Sequence, residues 1–149
     1  MKEKLKQLYK SVILKHNKTP YHYEKQPSAA HQIEAYNPLC GDQFNLYLDL
    51  ENGKIRQLHF HGYGCAISKA STSVLVKHLE NKSIEEALEL CATFQQLTDP
   101  NEEPSKLIEL EELEAFEAAK DFPSRLACAT LSWEAVKECL EKEAEKLKL

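Results

Sequence analysis

The sequence predicts an α+β fold, in which several α-helices accompany a small antiparallel β-structure. Apolar residues recur at helical spacing near both ends of the chain, which is typical of amphipathic helices. One central run alternates apolar and polar residues and leads into an Asn-Gly pair, which is typical of a β-hairpin. Glycine occurs only four times in 149 residues, which argues against an all-β design. We expect residues 1–149 to form a single domain with its own core.

Charge and hydropathy argue against several classes of function. The formal net charge is −5, and no cluster of Lys and Arg is interleaved with aromatic residues, so nucleic-acid binding is not expected. No run approaches the ~20 apolar residues that a membrane span needs. The segment Met1–Lys10 lacks the apolar stretch of a signal peptide. We therefore expect a cytoplasmic protein whose five cysteines stay reduced and form no structural disulfide.

The N-terminal segment is predicted to be an amphipathic helix that ends near Lys15. Its apolar stripe consists of Leu5, Leu8, Tyr9, Val12 and Ile13. The next segment, from His16 to Leu39, is irregular and rich in Pro, Tyr, Asn and Gln, so it is predicted to be a long loop. Such a loop inside a compact domain is more often functional than idle, and a disordered linker is the alternative.

A β-hairpin is predicted next. Apolar side chains alternate with mostly polar ones from Phe44 to Leu50, and Asn52-Gly53 then supplies two residues that tolerate a positive φ. The second strand is expected to run roughly from Lys54 to Gly62.

Two registers are possible for this hairpin. A plain two-residue turn sets Cys40 opposite Cys65 but turns the apolar residues of the second strand away from those of the first. A one-residue bulge instead pairs Leu46 with Phe60 and Leu48 with Leu58, and we prefer it. Under either register, Cys40 and Asp42 at the entrance of the hairpin lie beside Cys65 at its exit.

The remainder of the chain is predicted to be helical. A run of small residues after Cys65 indicates a helix start, and Ser83 with Glu86 three residues later forms a capping-box pattern that opens another helix. The buried face of that helix is expected to contain Ile84, Ala87, Leu88 and Cys91. A further helix carries Leu107, Leu110 and Leu113. A last helix begins close to Cys128, and its apolar face is expected to contain Trp133, Val136, Leu140 and Leu147.

Three cysteines and one aspartate are candidate metal ligands. Cys40-Gly41-Asp42 places a thiol and a carboxylate two residues apart. Cys65 and Cys128 each precede a predicted helix, where free N–H groups and the helix dipole favour a thiolate. Zinc binds such thiolate and carboxylate ligands. The spacing matches no zinc-finger pattern, however, so spacing alone leaves a metal site undecided.

The other candidates are given simpler interpretations. Cys91 and Cys139 lie on or beside apolar helix faces and are interpreted as packed small hydrophobic residues. His59 and His61 share one face of a strand near Cys65, and they are interpreted as surface or edge histidines, with metal binding as the alternative. The charges from Glu109 to Glu117 are interpreted as a solvated helix face.

Three blocks, in this order along the chain, resemble the signature blocks of SufU proteins, a branch of the IscU-like superfamily. The blocks are NPLCGD at 37–42, GYGCAISKASTS at 62–73 and FPSRLACATLSW at 122–133. The segment LYKSVI at 8–13 also resembles the first helix of that family. The similarity covers most of the chain, and the long stretch between the second and third blocks resembles the insertion that separates the SufU branch from true IscU scaffolds.

This resemblance implies a compact α+β fold with helices packed on a small antiparallel sheet. It implies a Zn²⁺ site made by Cys40, Asp42, Cys65 and Cys128. It further implies that Cys40 accepts persulfide sulfur from a PLP-dependent cysteine desulfurase of the SufS type, for use by downstream Fe–S assembly proteins. The alternative function is an IscU-like scaffold that assembles a [2Fe–2S] cluster on the same residues. A third hypothesis is a binding module whose zinc only stabilises the fold.

Two positions depart from or refine the family pattern. Ala127 stands where true scaffolds carry a histidine and where SufU relatives commonly carry a basic residue, and the missing histidine favours sulfur transfer over cluster assembly. Arg125 matches a basic position of the family nearby. We expect it to contact the partner or the thiolates, and a plain surface arginine is the alternative.

Overall fold

The structure, a computed structural model, describes residues 3–102 and 110–147. Within these residues, the chain forms a three-stranded antiparallel sheet and a set of helices, so the predicted α+β class is confirmed. The elements are α1 (Glu3–Lys18), β1 (His31–Asn37), β2 (Asp42–Glu51), β3 (Lys54–Tyr63), α2 (Ala66–Leu79), α3 (Ile84–Thr98), α4 (Glu111–Glu114), a 3₁₀ helix (Ala115–Asp121) and α5 (Pro123–Lys146).

The hairpin of β2 and β3 has the bulged register. Leu46 pairs with Phe60 and Leu48 pairs with Leu58, and the register shifts between Asp49 and Leu50. The preferred sequence prediction is therefore confirmed. The shift keeps the apolar side chains of both strands on one face, where they are fully buried against the helices.

The prediction of one long loop from His16 to Leu39 was wrong at both of its ends. Helix α1 continues to Lys18. The basic residues of its last turn stabilise this longer helix, because positive charges interact favourably with the negative end of the helix dipole. Residues His31–Asn37 form β1, which pairs with β2 in the sheet order β1-β2-β3. Only Ala35 of this strand is fully buried, which explains why its apolar signal is weak in the sequence.

Helix α2 packs against α1, α5 and β3. Its small side chains allow these neighbours to approach closely. Ser71 Oγ donates a hydrogen bond to the backbone oxygen of Ala129 in α5 and accepts one from Trp133 Nε1 at 3.0 Å. Thr72 Oγ1 and Ser132 Oγ lie 2.6 Å apart. These bonds fix α5 against α2, and both helices carry residues of the candidate site.

The capping box of α3 is confirmed. Ser83 Oγ accepts from the N–H of Glu86, and the Glu86 carboxylate accepts from the N–H of Ser83, each at 3.0 Å. On the face expected to be buried, Ile84, Ala87 and Cys91 are buried and Leu88 is partly buried.

Three predictions about the C-terminal helices need correction. Helix α5 begins at Pro123 rather than close to Cys128, because proline is favoured in the first turn of a helix. Leu147 follows this helix and is exposed rather than part of its apolar face. The helix expected at 107–113 is a short α4 in the described part, with Leu113 buried, and Leu107 lies outside the described residues.

The charges from Glu109 to Glu117, which were interpreted as a solvated helix face, are only partly solvated in the described residues, and Glu109 lies outside those residues. The Glu112 carboxylate lies 2.6 Å from His16 Nε2, 2.7 Å from His78 Nε2 and 2.9 Å from Lys77 Nζ. These contacts hold α4 against α1 and α2.

Of the described helices, none has both the length and the apolar character that a bilayer crossing needs.

Candidate metal centre

Four side chains from three parts of the fold meet at one end of the sheet. Asp42 is the first residue of β2, and Cys40 lies in the loop before it. Cys65 follows β3 and caps α2, and Cys128 lies in the second turn of α5. The hairpin brings the first three residues together, and the packing of α5 on α2 adds the fourth.

The distances among these groups are short. Cys40 Sγ lies 3.1 Å from Asp42 Oδ2, and Cys65 Sγ lies 3.9 Å from the same oxygen. One ligand atom each of Cys40, Asp42 and Cys128 lies within 4.8 Å of the others. Cys65 is not part of this closest group and approaches it through Asp42. The convergence that the hairpin register predicted is therefore confirmed.

Asp42 is held in place by its second oxygen. The backbone N–H of Cys65 donates to Asp42 Oδ1 at 2.9 Å, and the Asp42 side chain is almost fully buried. Gly64 makes this approach possible, since a Cβ there would lie 2.8 Å from Asp42 Oδ1 and 2.5 Å from Ser68 Oγ. The carboxylate thus presents Oδ2 to the thiols while Oδ1 stays bonded to the chain.

Cys65 is the N-cap of α2, as the sequence predicts. Its backbone is extended, and its Sγ accepts a hydrogen bond from the N–H of Ser68 at 3.4 Å. Ser68 Oγ lies 3.6 Å from the same sulfur. The sequence analysis missed Ser68, although the spacing of a capping residue and the third helical residue points to it.

Cys128 differs from the prediction because it lies inside α5 and not at its start. Burial, the neighbouring Cys65 side chain and the nearby Asp42 and Cys40 together raise the pKa of its thiol to about 12. If all three thiols ionised, three thiolates and one carboxylate would crowd negative charge into a small volume, which is one reason why the pKa of Cys128 is raised. A soft cation such as zinc would compensate this charge, because its usual ligands are thiolate, imidazole and carboxylate. The donor set fits zinc.

The four groups differ in their access to solvent. Cys40 is exposed, Cys65 is half-buried, and Asp42 and Cys128 are buried. Leu39, which precedes the exposed thiol, is itself 95% exposed. Gly41 has a φ of +77°, a conformation that glycine adopts readily, so Cys40 lies on a tight turn outside the regular elements. Cys40 is the thiol that an approaching molecule can reach.

Residues 8–142 of the chain match the family model described as the NifU-like N-terminal domain. The chain belongs to this family. It is similar to the iron-sulfur cluster assembly scaffold protein IscU of Streptococcus pyogenes serotype M1, with 37% identity over 141 residues that cover 95% of this chain and 87% of the relative. It is also similar to the zinc-dependent sulfurtransferase SufU of Bacillus subtilis strain 168, with 34% identity over 136 residues that cover 91% of each.

The fold of this NifU-like N-terminal domain also matches solved structures. The crystal structure of FiSufU, from the SUF system of thermophilic Fervidobacterium islandicum AW-1, superposes with a TM-score of 0.80 at 30% identity. The match covers 90% of this chain and 97% of that one. The names of the relatives include both a scaffold and a sulfurtransferase, so family membership alone does not decide between these two roles.

Arg125 lies in the first turn of α5 of this NifU-like N-terminal domain and is exposed. Within the described part of the chain, its side chain has no hydrogen bond or ion pair. Ala127 is exposed beside Cys128 and offers no donor atom to the site. The two positions singled out by the sequence are therefore open to solvent at the same end of α5.

The two histidines of β3 do not join the cluster. His59 lies on β3, an edge strand of the sheet, as one part of the surface-or-edge interpretation expected, but with only 11% of its side chain exposed it is not a surface residue. Its ring stacks on His22 at 4.7 Å between centroids, and burial lowers its pKa. His61 stacks on Tyr23, also at 4.7 Å. The segment before β1 covers these rings, which the irregular sequence of that segment did not reveal.

The remaining cysteines lie away from the candidate site. Cys91 is buried in the core cluster, and burial raises the pKa of its thiol to about 12. Cys139 is half-buried in α5 and lines an open groove against β1, and burial also raises its pKa. Both environments are typical of packed thiols that carry no charge.

Proposed function

We propose that this protein acts in iron–sulfur cluster assembly as a zinc-dependent sulfur-transfer protein. Cys40 accepts persulfide sulfur from a PLP-dependent cysteine desulfurase of the SufS type, in the cytoplasm, and passes it to downstream assembly proteins. The observation that carries the proposal is the position of one exposed thiol, Cys40, 3.1 Å from a buried carboxylate in a cluster whose other thiols are held by helices.

The proposed zinc ligands are Cys40, Asp42, Cys65 and Cys128. Bound there, zinc would keep the thiols deprotonated without oxidising them, because it has no redox chemistry. The roles of the chain's own residues then divide. Cys65 caps α2 and Cys128 lies within α5, whereas Cys40 lies on a glycine-containing turn that can move without breaking a helix or strand.

The proposed reaction is a thiol–disulfide-type exchange. The Cys40 thiolate attacks the outer sulfur of the desulfurase persulfide, a new S–S bond forms on Cys40, and the S–S bond of the donor breaks. The electron pair of the broken bond leaves with the desulfurase thiolate, so no external oxidant or reductant is needed. As an oxygen ligand, Asp42 would bind zinc less strongly than a thiolate does, which would leave the site open to exchange.

Arg125 is proposed to assist sulfur transfer to Cys40. Its exposed guanidinium, on the helix that carries Cys128, can meet an acidic group of the approaching partner or the negative charge of the thiolates. Ala127 favours transfer over cluster storage, because a cluster-binding histidine is missing at this position.

The second candidate function is assembly of a [2Fe–2S] cluster on the same four residues. It is favoured by the similarity to proteins named as IscU scaffolds. Anaerobic reconstitution with iron and sulfide tests it, and visible absorbance that survives desalting would support this function.

The experiment that tests the proposed function combines metal analysis with enzyme stimulation. Protein purified without added metal should contain about one zinc per chain and should accelerate cysteine turnover by its desulfurase. Zinc without any acceleration would indicate that the metal only stabilises the fold. Cys139→Ala is the matched control for loss of Cys65, because both thiols are half-buried and Cys139 lies outside the cluster.

A further inference from the structure

An open groove runs between strand β1 and helix α5, away from the thiol cluster. Its volume is about 810 Å³, and residues 30–34 line one side of it. The other side is a single stripe of α5, on which Ala135, Glu138 and Cys139 recur at helical spacing. Cys139 follows Cys128 by eleven residues, which is about 16 Å along the helix axis. The groove is therefore separate from the candidate metal centre.

The main chain of β1 is unpaired along this groove. In the sheet order β1-β2-β3, β1 is an edge strand. Every second residue of an edge strand directs its N–H and C=O groups away from the neighbouring strand. Among the residues that the structure describes, no other strand and no further backbone hydrogen bond meets this outer edge along residues 31–36. The groove thus offers a row of free main-chain donors and acceptors.

The dimensions of the groove suit a short extended chain. The residues of α5 that line it extend from 135 to 146, which is about 16 Å of helix. An extended chain advances about 3.3 Å per residue, so about five residues fit along it. Ile33 and Ala135 are partly buried against the core, and Cys139 is half-buried. These side chains give the groove an apolar floor.

The charged side chains of the groove are mostly acidic. Its carboxylates and ammonium groups are those of Glu34, Glu138, Glu143, Glu145, Lys142 and Lys146. Each lysine is paired with a glutamate of the same helix, at 3.4 Å and 3.0 Å. Glu34 and Glu145 have no ion pair among the described residues. With His31 neutral, the lining carries an excess of negative charge, which a basic ligand would complement.

We propose that this groove binds an extended, basic segment of a partner protein, which adds to β1 as a further antiparallel strand. Main-chain hydrogen bonds to β1 hold the segment, its apolar side chains face Ala135 and Cys139, and its basic side chains meet the glutamates. A second copy of this chain fits less well, because pairing β1 with itself about its central residue sets Glu34 opposite Glu34. The proposal goes beyond the proposed function and requires neither metal binding nor sulfur transfer.

The probe for this site is the capped hexapeptide Lys-Val-Lys-Val-Lys-Val, added to the isotope-labelled full chain at low salt. Its alternation places valine towards α5 and lysine on the other face of the added strand. The amide signals of residues 30–36 and 135–146 should shift, whereas those of residues 40–42 should stay in place. The hexapeptide Glu-Val-Glu-Val-Glu-Val should not bind. Shifts centred on residues 40–42, or equal binding of the acidic peptide, would overturn the proposal.

Two N-methylated forms of the basic peptide test the strand pairing. One form is methylated at the first, third and fifth residues, and the other at the second, fourth and sixth. Only one of these sets of N–H groups faces β1 in an added strand. One form should therefore lose at least about tenfold in affinity, because its hydrogen bonds to β1 are missing, and the other should bind like the unmodified peptide. Equal affinity of the two forms would indicate charge attraction without strand addition and would contradict the proposal.

Charge reversal tests the groove from the side of the protein. The double variant Glu34→Lys with Glu138→Lys should bind the basic peptide about 5–10-fold more weakly, since each exposed charge pair contributes only modestly. Glu89→Lys is the matched control, because Glu89 is exposed on α3 outside the groove. Unchanged affinity in the double variant would overturn the proposal. Shifts along β1 that depend on protein concentration without peptide, together with a dimer in sedimentation, would assign the edge to a second copy and would also overturn it.

Discussion

The carboxylate of Asp42 accepts a hydrogen bond at 2.9 Å from the backbone N–H of Cys65, and this bond joins the start of β2 to the N-cap of α2. The same carboxylate turns its other oxygen towards the Cys40 thiol. One buried side chain therefore aligns two proposed ligands and is itself a third. Local structure and site chemistry depend on each other at this point.

Replacing Asp42 in two ways separates these roles. Asp42→Asn keeps an oxygen that can accept from Cys65 but removes the charge, whereas Asp42→Ala removes both. We expect both variants to bind zinc more weakly than wild type. Unfolding of the metal-free proteins should show a further loss of about 1–3 kcal/mol in Asp42→Ala relative to Asp42→Asn, because a buried N–H loses its acceptor. Equal stability of the two variants would contradict the anchoring role.

Loss of the half-buried thiol of Cys65 or of the buried thiol of Cys128 should remove the metal. We expect about one zinc per chain in wild type and much less in Cys65→Ser and in Cys128→Ser, since a hydroxyl is a poor substitute for a thiolate on zinc. Elemental analysis of protein purified without added metal measures this. Full zinc retention in both variants would remove these residues from the ligand set.

The two remaining cysteines should behave differently. Cys91→Ala and Cys139→Ala should retain zinc and sulfur transfer, and each should lower the free energy of unfolding by about 1 kcal/mol, as expected for a small packed side chain. Denaturant unfolding and elemental analysis test the two parts separately. Zinc loss in either variant would mean that the proposed ligand set is wrong.

The contacts of Glu112 predict how stability depends on pH. Burial alone would raise the pKa of this carboxyl, but hydrogen bonds from His16, Lys77 and His78 outweigh it and hold the pKa well below the usual value of 4.5. Burial lowers the pKa of His16 below 6.5. Both groups bind more protons in the unfolded chain than in the folded one below their ordinary pKa values. Stability should therefore fall as the pH drops below about 6.5, and fall further below about 4.5.

Glu112→Gln tests this relationship. At pH 7, the variant should be less stable than wild type by about 1.5–3 kcal/mol, the usual contribution of hydrogen bonds to a charged group. The difference should shrink below pH 4.5, where the unfolded wild type takes up a proton at this carboxyl. Urea unfolding at pH 7, 5.5 and 4, with a chelator in all samples, measures it. A difference that stays constant with pH would argue against the charged network.

The sequence predicted the hairpin and its register because two strong local signals agree there. The apolar period of β2 is regular, and Asn52-Gly53 marks the turn, with φ values of +54° and +75°. Once the register is known, Cys40, Asp42 and Cys65 must lie together. This part of the candidate site follows from local patterns alone.

The parts that the sequence missed depend on contacts distant along the chain. Strand β1 buries little of its own surface and is defined by pairing with β2. Glu112 has no local sign of its role, because its partners His16 and His78 lie far from it in the sequence. The start of α5 is different, since Pro123 is itself a local signal for the first turn of a helix.

The most direct test of the account is to find which sulfur atom receives the transferred sulfur. The protein would be incubated with its cysteine desulfurase and cysteine, alkylated, and mapped for persulfides by mass spectrometry. We expect the persulfide to be concentrated on Cys40 and the desulfurase stimulation to collapse in Cys40→Ala. Sulfur found mainly on Cys128 or Cys139, with Cys40→Ala still active, would contradict the proposed role of Cys40.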